Sequence, residues 1–406
     1  MQVIFNKKTF EEEDFQVVER KGTGHPDTLA DNLAEFLSVK YSNYTKDRYG
    51  AVLHHNFDKL ALLGGASFVE FGDGYLTKPI RVLLNGRVSS KFGDETIPVS
   101  ELLTKWVRHF LAPKLDIDPV KDIDIHDNIS TQSSPGKVDE EAEVEGTRHY
   151  WFEPRGLQDL QELKHLVSND TSLGVGFAPM TTLEQFVIDV EHELTVGIFK
   201  KDNPWIGSDV KLMGIRNSDE YYLTLCIPQI GKYVHGVDEY RDNIEKANAF
   251  IRTFAAEYGI TKLEINSNTR DNFETSELYL TATGSSIESG DEGVVGRGNR
   301  INKIITPTRP MSMEGASGKN PVYHIGKLYY VAAHQLADNI YKEFHIPNEV
   351  FLVSQSGRLL KDPWMVVLSV PHDFTGHRAL EEFVHSQAEL IPAITDQLLA
   401  QKYLIS

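Results

Sequence analysis

The chain has 406 residues, 40% hydrophobic, 25% charged and 10% aromatic, which excludes collagen-like, disordered and disulfide-scaffold classes. Its formal net charge of −18 opposes general binding to nucleic acid or to an anionic membrane surface. An anionic ligand must therefore be met by a local cluster of cations.

Residues 1–10 carry Lys7 and Lys8 but no apolar run, so no secretory signal is expected. No stretch approaches the ~18 apolar residues of a membrane span, and a cytoplasmic chain is the expectation. Leu29, Leu33, Phe36, Leu37 and Tyr41 recur at helical spacing and predict a helix over 27–44. A strand is predicted at 80–88. Residues 127–156 hold Asp139, Glu140, Glu141, Glu143 and Glu145 between Pro135 and Pro154. They read as a long polar loop, either a solvated insertion or a lid. Thr181 with Glu184 forms a capping box that opens a helix running to about Leu194.

A strand follows at 221–230 and contains Cys226, the single cysteine, which can make no intramolecular disulfide and is expected to fill core space. Helices are predicted over 238–258 and 326–344, strands over 276–284 and 364–370, and an amphipathic stretch over 377–402. This irregular alternation predicts an α/β (α+β) protein of several layers rather than one doubly wound sheet.

The chemistry concentrates in 284–327. Between 297 and 327, Arg297, Arg300, Lys303, Arg309, Lys319 and Lys327 face one acid, Glu314, among closely spaced glycines. Glycine lets backbone N–H groups approach an anion, so the segment reads as a polyphosphate cradle, with a plain glycine-rich turn as the alternative. The Walker spacing and the dinucleotide fingerprint are both absent. Gly-Thr-Gly-His25-Pro-Asp27 lies at a helix start. His25 and Asp27 there suit a phosphate oxygen and its magnesium ion, or Asp27 simply caps the helix. Asp209 and Lys211 share one face of a strand entry and could meet two ends of one ligand, or form an ion pair. Asp170 precedes another glycine turn. The tandem His54 and His55 would point opposite ways in a strand, which argues for structural roles.

In their shared order these segments closely resemble the archaeal-type branch of methionine adenosyltransferase. The resemblance is carried by Glu-Arg-Lys-Gly-Thr-Gly-His25-Pro-Asp27, Leu-His-His-Asn56, Asn-Asp170-Thr-Ser, Asp209-Val-Lys211-Leu-Met-Gly, Gly-Asp291-Glu-Gly-Val-Val-Gly-Arg297-Gly-Asn-Arg300 and Arg-Pro-Met-Ser-Met-Glu-Gly-Ala-Ser-Gly-Lys319. It implies three α/β domains related by pseudo-threefold symmetry, and a homodimer with active sites at the interface. The expected grouping is 1–17 with 170–283, then 18–126 with 284–325. Residues 127–169 form the polar loop, and 326–406 join part of the middle segment as the third domain.

The resemblance also implies ATP and L-methionine as substrates, with magnesium held by Asp27 and Asp291 and potassium assisting. His25, Lys211, Arg297 and Lys319 match triphosphate contacts at the reacting end. Asp209 lies in the matching Asp-x-Lys pair, and Arg300, His324 and Lys327 belong to the branch-specific part of the cradle. Asp170 and Asp58 match the carboxylate side of the amino-acid site. A thioether has no proton to remove, so the reaction needs no general base, in keeping with the absence of a nucleophile motif. Asn56-Phe57-Asp58-Lys59, Gly64-Gly65-Ala66 and 127–169 depart from the family pattern. Those departures leave open another thioether acceptor, or a chain that acts mainly as a tripolyphosphatase. A non-catalytic nucleotide-binding subunit would have had no reason to keep His25, Asp27, Lys211, Asp291, Arg297 and Lys319 together.

Overall fold

A computed structural model describes residues 1–10, 13–132 and 150–401. The first third holds strands β1 (Gln2–Lys8) and β2 (Phe15–Lys21), helix α1 (Pro26–Tyr49), strands β3 (Ala61–Leu63) and β4 (Ile80–Val88), helix α2 (Val99–Leu115) and strand β5 (Ile123–Ser130). The middle holds β6 (Leu173–Ala178), α3 (Thr182–Thr195), β7 (Lys211–Asn217), β8 (Glu220–Cys226), α4 (Val237–Glu257) and β9 (Leu263–Ser267). The last part holds β10 (Gly293–Val294), α5 (Ile325–Phe344), β11 (Asn348–Val353), β12 (Met365–Pro371) and α6 (His377–Ala388).

These strands form three sheets built on one plan. Their orders are β5-β4-β3-β10, β9-β8-β7-β2 and β1-β12-β11-β6. In each, the first pair is parallel and the next two pairs are antiparallel. Each sheet has its own apolar core under two helices. Leu29, Leu33 and Leu37 of α1 meet Leu103 and Val107 of α2 over Val82 and Leu84. Leu183 and Val187 of α3 meet Ala247 and Ile251 of α4 over Leu212 and Leu223. Leu328, Val331 and Leu336 of α5 meet Leu380 and Val384 of α6 over Val350 and Leu368.

The chain swaps strands between units in a closed ring. Strand β2 leads into α1 but pairs with β7 in the α3–α4 unit. Strand β6 leads into α3 but pairs with β11 in the α5–α6 unit. Strand β10 precedes α5 but pairs with β3 in the α1–α2 unit. Each of these strand-to-helix connections therefore crosses from one core to the next, and the turn at 22–25 is one of the crossings.

Local signals explain the helix ends. Pro26 stands in the first turn of α1, where a missing N–H costs nothing, and Gly50 closes the helix at φ 79°. Thr181 and Glu184 form the capping box of α3 reciprocally. A Cβ at Gly176 would stand 2.2 Å from the Ala333 carbonyl oxygen, so glycine lets β6 and α5 touch backbone to backbone.

Four expectations change. Strand β1, grouped with 170–283 from the sequence, pairs with β12 in register from Gln2 with Met365 to Lys8 with Pro371. No local pattern announces a partner so far along the chain. Within 276–284 only Leu280 and Thr281 are strand, because the segment turns at Gly284 with φ 81°. Cys226 is exposed, since strict alternation in β8 sends Leu223 and Leu225 inward. Of the polar loop at 127–169, residues 127–130 complete β5, while Pro135 and the acids at 139–145 lie outside the described residues.

Candidate functional site

The crossing turn at 22–25 is tied to the strand entry at 208–210. Gly22 N–H donates to the Val210 carbonyl at 2.6 Å, and Gly24 N–H to the Ser208 carbonyl at 2.9 Å. His25 then caps α1, its Nδ1 accepting the Asp27 N–H at 3.2 Å. Burial lowers the imidazole's pKa, and the Asp209 carboxylate opposes that shift. Asp209 is itself buried. Its Oδ2 accepts from the Ser286 N–H at 2.8 Å, the Ser286 hydroxyl at 2.6 Å and the Tyr279 hydroxyl at 3.3 Å. Burial raises its pKa, against the pull of His25. The Ser286 hydroxyl also lies 3.1 Å from Asp291 Oδ2. One proton is thus set between two carboxylates.

The glycine segment at 293–300 is held by α1 rather than left open. Asp27 and Asp31 stand one turn apart on one helix face. Asp27 Oδ1 accepts the Val294 N–H at 3.0 Å. Asp31 accepts the Gly296 N–H at 2.8 Å and the Gly298 N–H at 2.9 Å, one on each oxygen. The carbonyls are gripped by cations. Arg300 donates to the Gly296 and Gly298 carbonyls at 2.5 and 2.7 Å, and Lys21 Nζ to the Arg297 carbonyl at 2.7 Å. Lys21 Nζ also pairs with Asp27 Oδ2 at 2.9 Å.

The expectation that these glycine amides cradle an anion is therefore corrected. The amides of Val294, Gly296 and Gly298 are already bound to carboxylates, and glycine at 298 makes room for Asp31, whose Oδ2 would stand 2.3 Å from a Cβ. What the loop presents outward is the exposed side chain of Arg297. Lys211 stands near the same crossing, half-buried, with Nζ 3.4 Å from Glu19 Oε1.

A second group gathers around Lys319, which pairs with Glu314. Glu314 Oε2 also accepts the Ser172 hydroxyl at 3.1 Å. Burial pushes the Lys319 ammonium down to about 8, opposed first by the Asp58 carboxylate and more weakly by that of Asp170. Asp58 is bridged by Lys59 at 2.7 Å, and Asp170 is exposed at its turn. No side-chain hydrogen bond or ion pair joins this group to the first among the described residues.

Three candidates for the cradle face inward. Arg300 is spent on the glycine carbonyls. Lys327 is fully buried, with Nζ 2.6 and 2.8 Å from the two Glu35 oxygens. His324 precedes α5, and burial drives its pKa well below the ordinary histidine value. His55 is structural, bonded to Ser38 and Leu53, and His54 stacks between Trp151 and Tyr323.

The sequence reading missed Asp31, Lys21, Glu314, Ser286 and Glu35. For Asp31 a signal existed, a second acid four residues after Asp27 on the helix that faces the glycine segment. Hard carboxylate oxygens at Asp27 and Asp291 suit magnesium, and each Asp27 oxygen keeps a lone pair beyond its present bond. Among the described residues no cluster of three His, Cys, Asp or Glu side chains is arranged to hold a metal, and no helix is long and apolar enough to cross a membrane.

Comparison with known proteins identifies the family. Residues 3–402 match the S-adenosylmethionine synthetase (AdoMet synthetase) family. The "Probable S-adenosylmethionine synthase" of Aquifex aeolicus is 36% identical over 414 aligned positions, covering 100% of this chain and 99% of that one. The S-adenosylmethionine synthase of Archaeoglobus fulgidus is 40% identical over 359 positions, covering 87% and 84%. Among solved structures, that of an unusual S-adenosylmethionine synthetase from Campylobacter jejuni shares the fold with a TM-score of 0.59 at 14% identity, covering 94% of this chain and 88% of that one. The three-sheet chain, with its histidine-capped crossing and its clamped arginine loop, belongs to the S-adenosylmethionine synthetase family of enzymes.

Proposed function

We propose that the chain forms S-adenosylmethionine from ATP and L-methionine by attack of the thioether sulfur on C5′, and then hydrolyses the departing triphosphate to pyrophosphate and phosphate. The observation that carries this reading is the rigid 293–300 loop, which is bound on both its N–H and its C=O sides and projects Arg297. Sulfur needs no base, so the protein's work is to place the reactants in line and to stabilise charge on the leaving group. Arg297, Lys211, His25 and Lys319 take the triphosphate, Lys319 and Lys211 exchanging Glu314 and Glu19 for phosphate oxygens. Asp58 and Asp170 supply negative charge near the sulfur as it becomes a sulfonium. Asp209 orients His25 and shares Ser286 with Asp291.

Magnesium held by Asp27 and Asp291 would offset phosphate charge, potassium would assist, and the working unit is a homodimer, as the family resemblance implies. Mass spectrometry of the chain with ATP, magnesium, potassium and methionine tests the reading. S-adenosylmethionine with matched pyrophosphate and phosphate is expected. Phosphate release without that product would reject methionine as acceptor, and no turnover at all would reject the function. Asp291→Asn should shift the magnesium requirement upward about 10-fold, because one of few hard donors is lost. An unchanged magnesium titration would remove Asp291 as a ligand.

A further inference from the structure

A cleft of about 590 Å³ opens where the α3 and α5 units meet, and none of its lining residues belongs to either group described above. His334, Asp338, Tyr341 and Lys342 lie at i, i+4, i+7 and i+8 of α5 and form one wall. Gln185 and Ile188 of α3, with the turn at 178–180, form the other, and 301–303 make the floor. We propose that this cleft is a binding site for a small organic anion that carries a flat aromatic ring.

Its charge runs against that of the chain. Lys303 and Lys342 face a single acid, Asp338, in a protein of net charge −18. Neither lysine side chain has a hydrogen-bond or ion-pair partner among the described residues, and Lys303 and Lys342 are exposed. The buried Nδ1 of His334 also lacks a partner, while its Nε2 stands 4.0 Å from Asp338 Oδ2. The cleft thus offers two cationic donors that no protein group engages among the described residues. Its apolar surface comes from Met180, Ile188 and Ile301, and Tyr341 is 40% exposed. A flat ring would stack there while an acid group meets the lysines.

The backbone supports a built site. Lys303 holds φ 72°, a left-handed conformation that disfavours a side chain. The turn is over-determined, because the Lys303 N–H donates to the Arg300 carbonyl at 2.7 Å and its own carbonyl accepts from the Arg20 guanidinium. Strain held in this way is characteristic of ligand sites. The same turn begins at Arg300, the residue that clamps the carbonyls on either side of Arg297. Occupancy would therefore load the segment that carries the phosphate-binding arginine. None of the proposed catalytic residues lines the cleft, so binding can be measured whatever the reaction proves to be.

The test is a fluorescence titration of the full chain with 8-anilinonaphthalene-1-sulfonate and with its uncharged relative N-phenyl-1-naphthylamine. The sulfonate should bind saturably and about 10-fold more tightly than the neutral probe, a preference typical of a charge-assisted contact. The double variant Lys303→Ala/Lys342→Ala should erase that preference, and Lys342→Arg should keep it. Lys342→Glu, at an exposed helix position where folding is not at stake, should weaken the sulfonate alone. Equal affinities of the wild-type chain for the two probes would overturn the proposal, as would a sulfonate affinity that both lysine variants leave unchanged.

Discussion

Asp31→Asn is expected to lower kcat by about 10- to 100-fold while moving the melting temperature only a few degrees. Asp31 gives one carboxylate oxygen to each of two backbone N–H groups, those of Gly296 and Gly298. Asparagine has one acceptor oxygen, so its amide group would confront the second N–H. A buried donor left unpaired costs about 1–3 kcal/mol. Against this, burial raises the Asp31 pKa from 3.8 to about 6, so keeping the group ionised at neutral pH already costs about 3 kcal/mol. The variant removes that cost, and the two effects nearly cancel in stability. They do not cancel in geometry. Arg297 sits between the two glycines, and a shift on the order of 1 Å in a charge-stabilising group is enough for such a loss.

The pH dependence separates this role from a merely structural one. A folded-state pKa raised above the unfolded value means that the proton favours the folded state. Asp31's contribution to stability is therefore full below about 3.8 and is lost as pH rises through about 6. Activity should run the other way, because the ionised form accepts both amides. The wild-type rate should fall as pH drops through about 6, and Asp31→Asn should lack that acid limb. A variant with wild-type kcat, or one that keeps the limb, would remove Asp31 from the mechanism.

Helices were largely legible in the sequence because their signals are local. The capping box at Thr181 and the leucine period of α1 depend on neighbours within a turn or two. The long-range strand pairings were not legible, since β1 finds β12 and β10 finds β3 across long stretches of chain, through contacts that no short window encodes. The candidate site divides in the same way. Arg297 and His25 stand out by composition beside glycines, whereas Arg300 and Lys327 look equally cationic in sequence yet are consumed inside the fold. Charge counts cannot tell a cation that waits for a ligand from one already paired with a carbonyl or with Glu35. Glu314 was invisible as a partner of Lys319 for the opposite reason. A single acid among cations reads as dilution of the cluster rather than as the group that holds one of its buried members.

Lys319→Ala should lower kcat by about 10²- to 10³-fold, the loss typical of one preorganised donor to developing oxyanion charge. Stability should change far less. Alanine leaves Glu314 unpaired, but that side chain keeps 30% of its surface in contact with solvent and can be hydrated. Truncation also relieves the burial of an ammonium whose pKa is held down at about 8 rather than 10.5. That value sets a second readout. Lys319 carries its charge below about pH 8 and loses it above, so wild-type kcat should fall on the alkaline side with a midpoint near 8. The limb should be missing from Lys319→Ala, because no titrating amine remains. In Lys319→Arg the guanidinium stays charged throughout, so whatever activity survives should stay flat above pH 8. An alkaline limb that persists in both variants would belong to another group and would take Lys319 out of the triphosphate site. Loss of the limb without loss of rate would make Lys319 a partner of Glu314 alone.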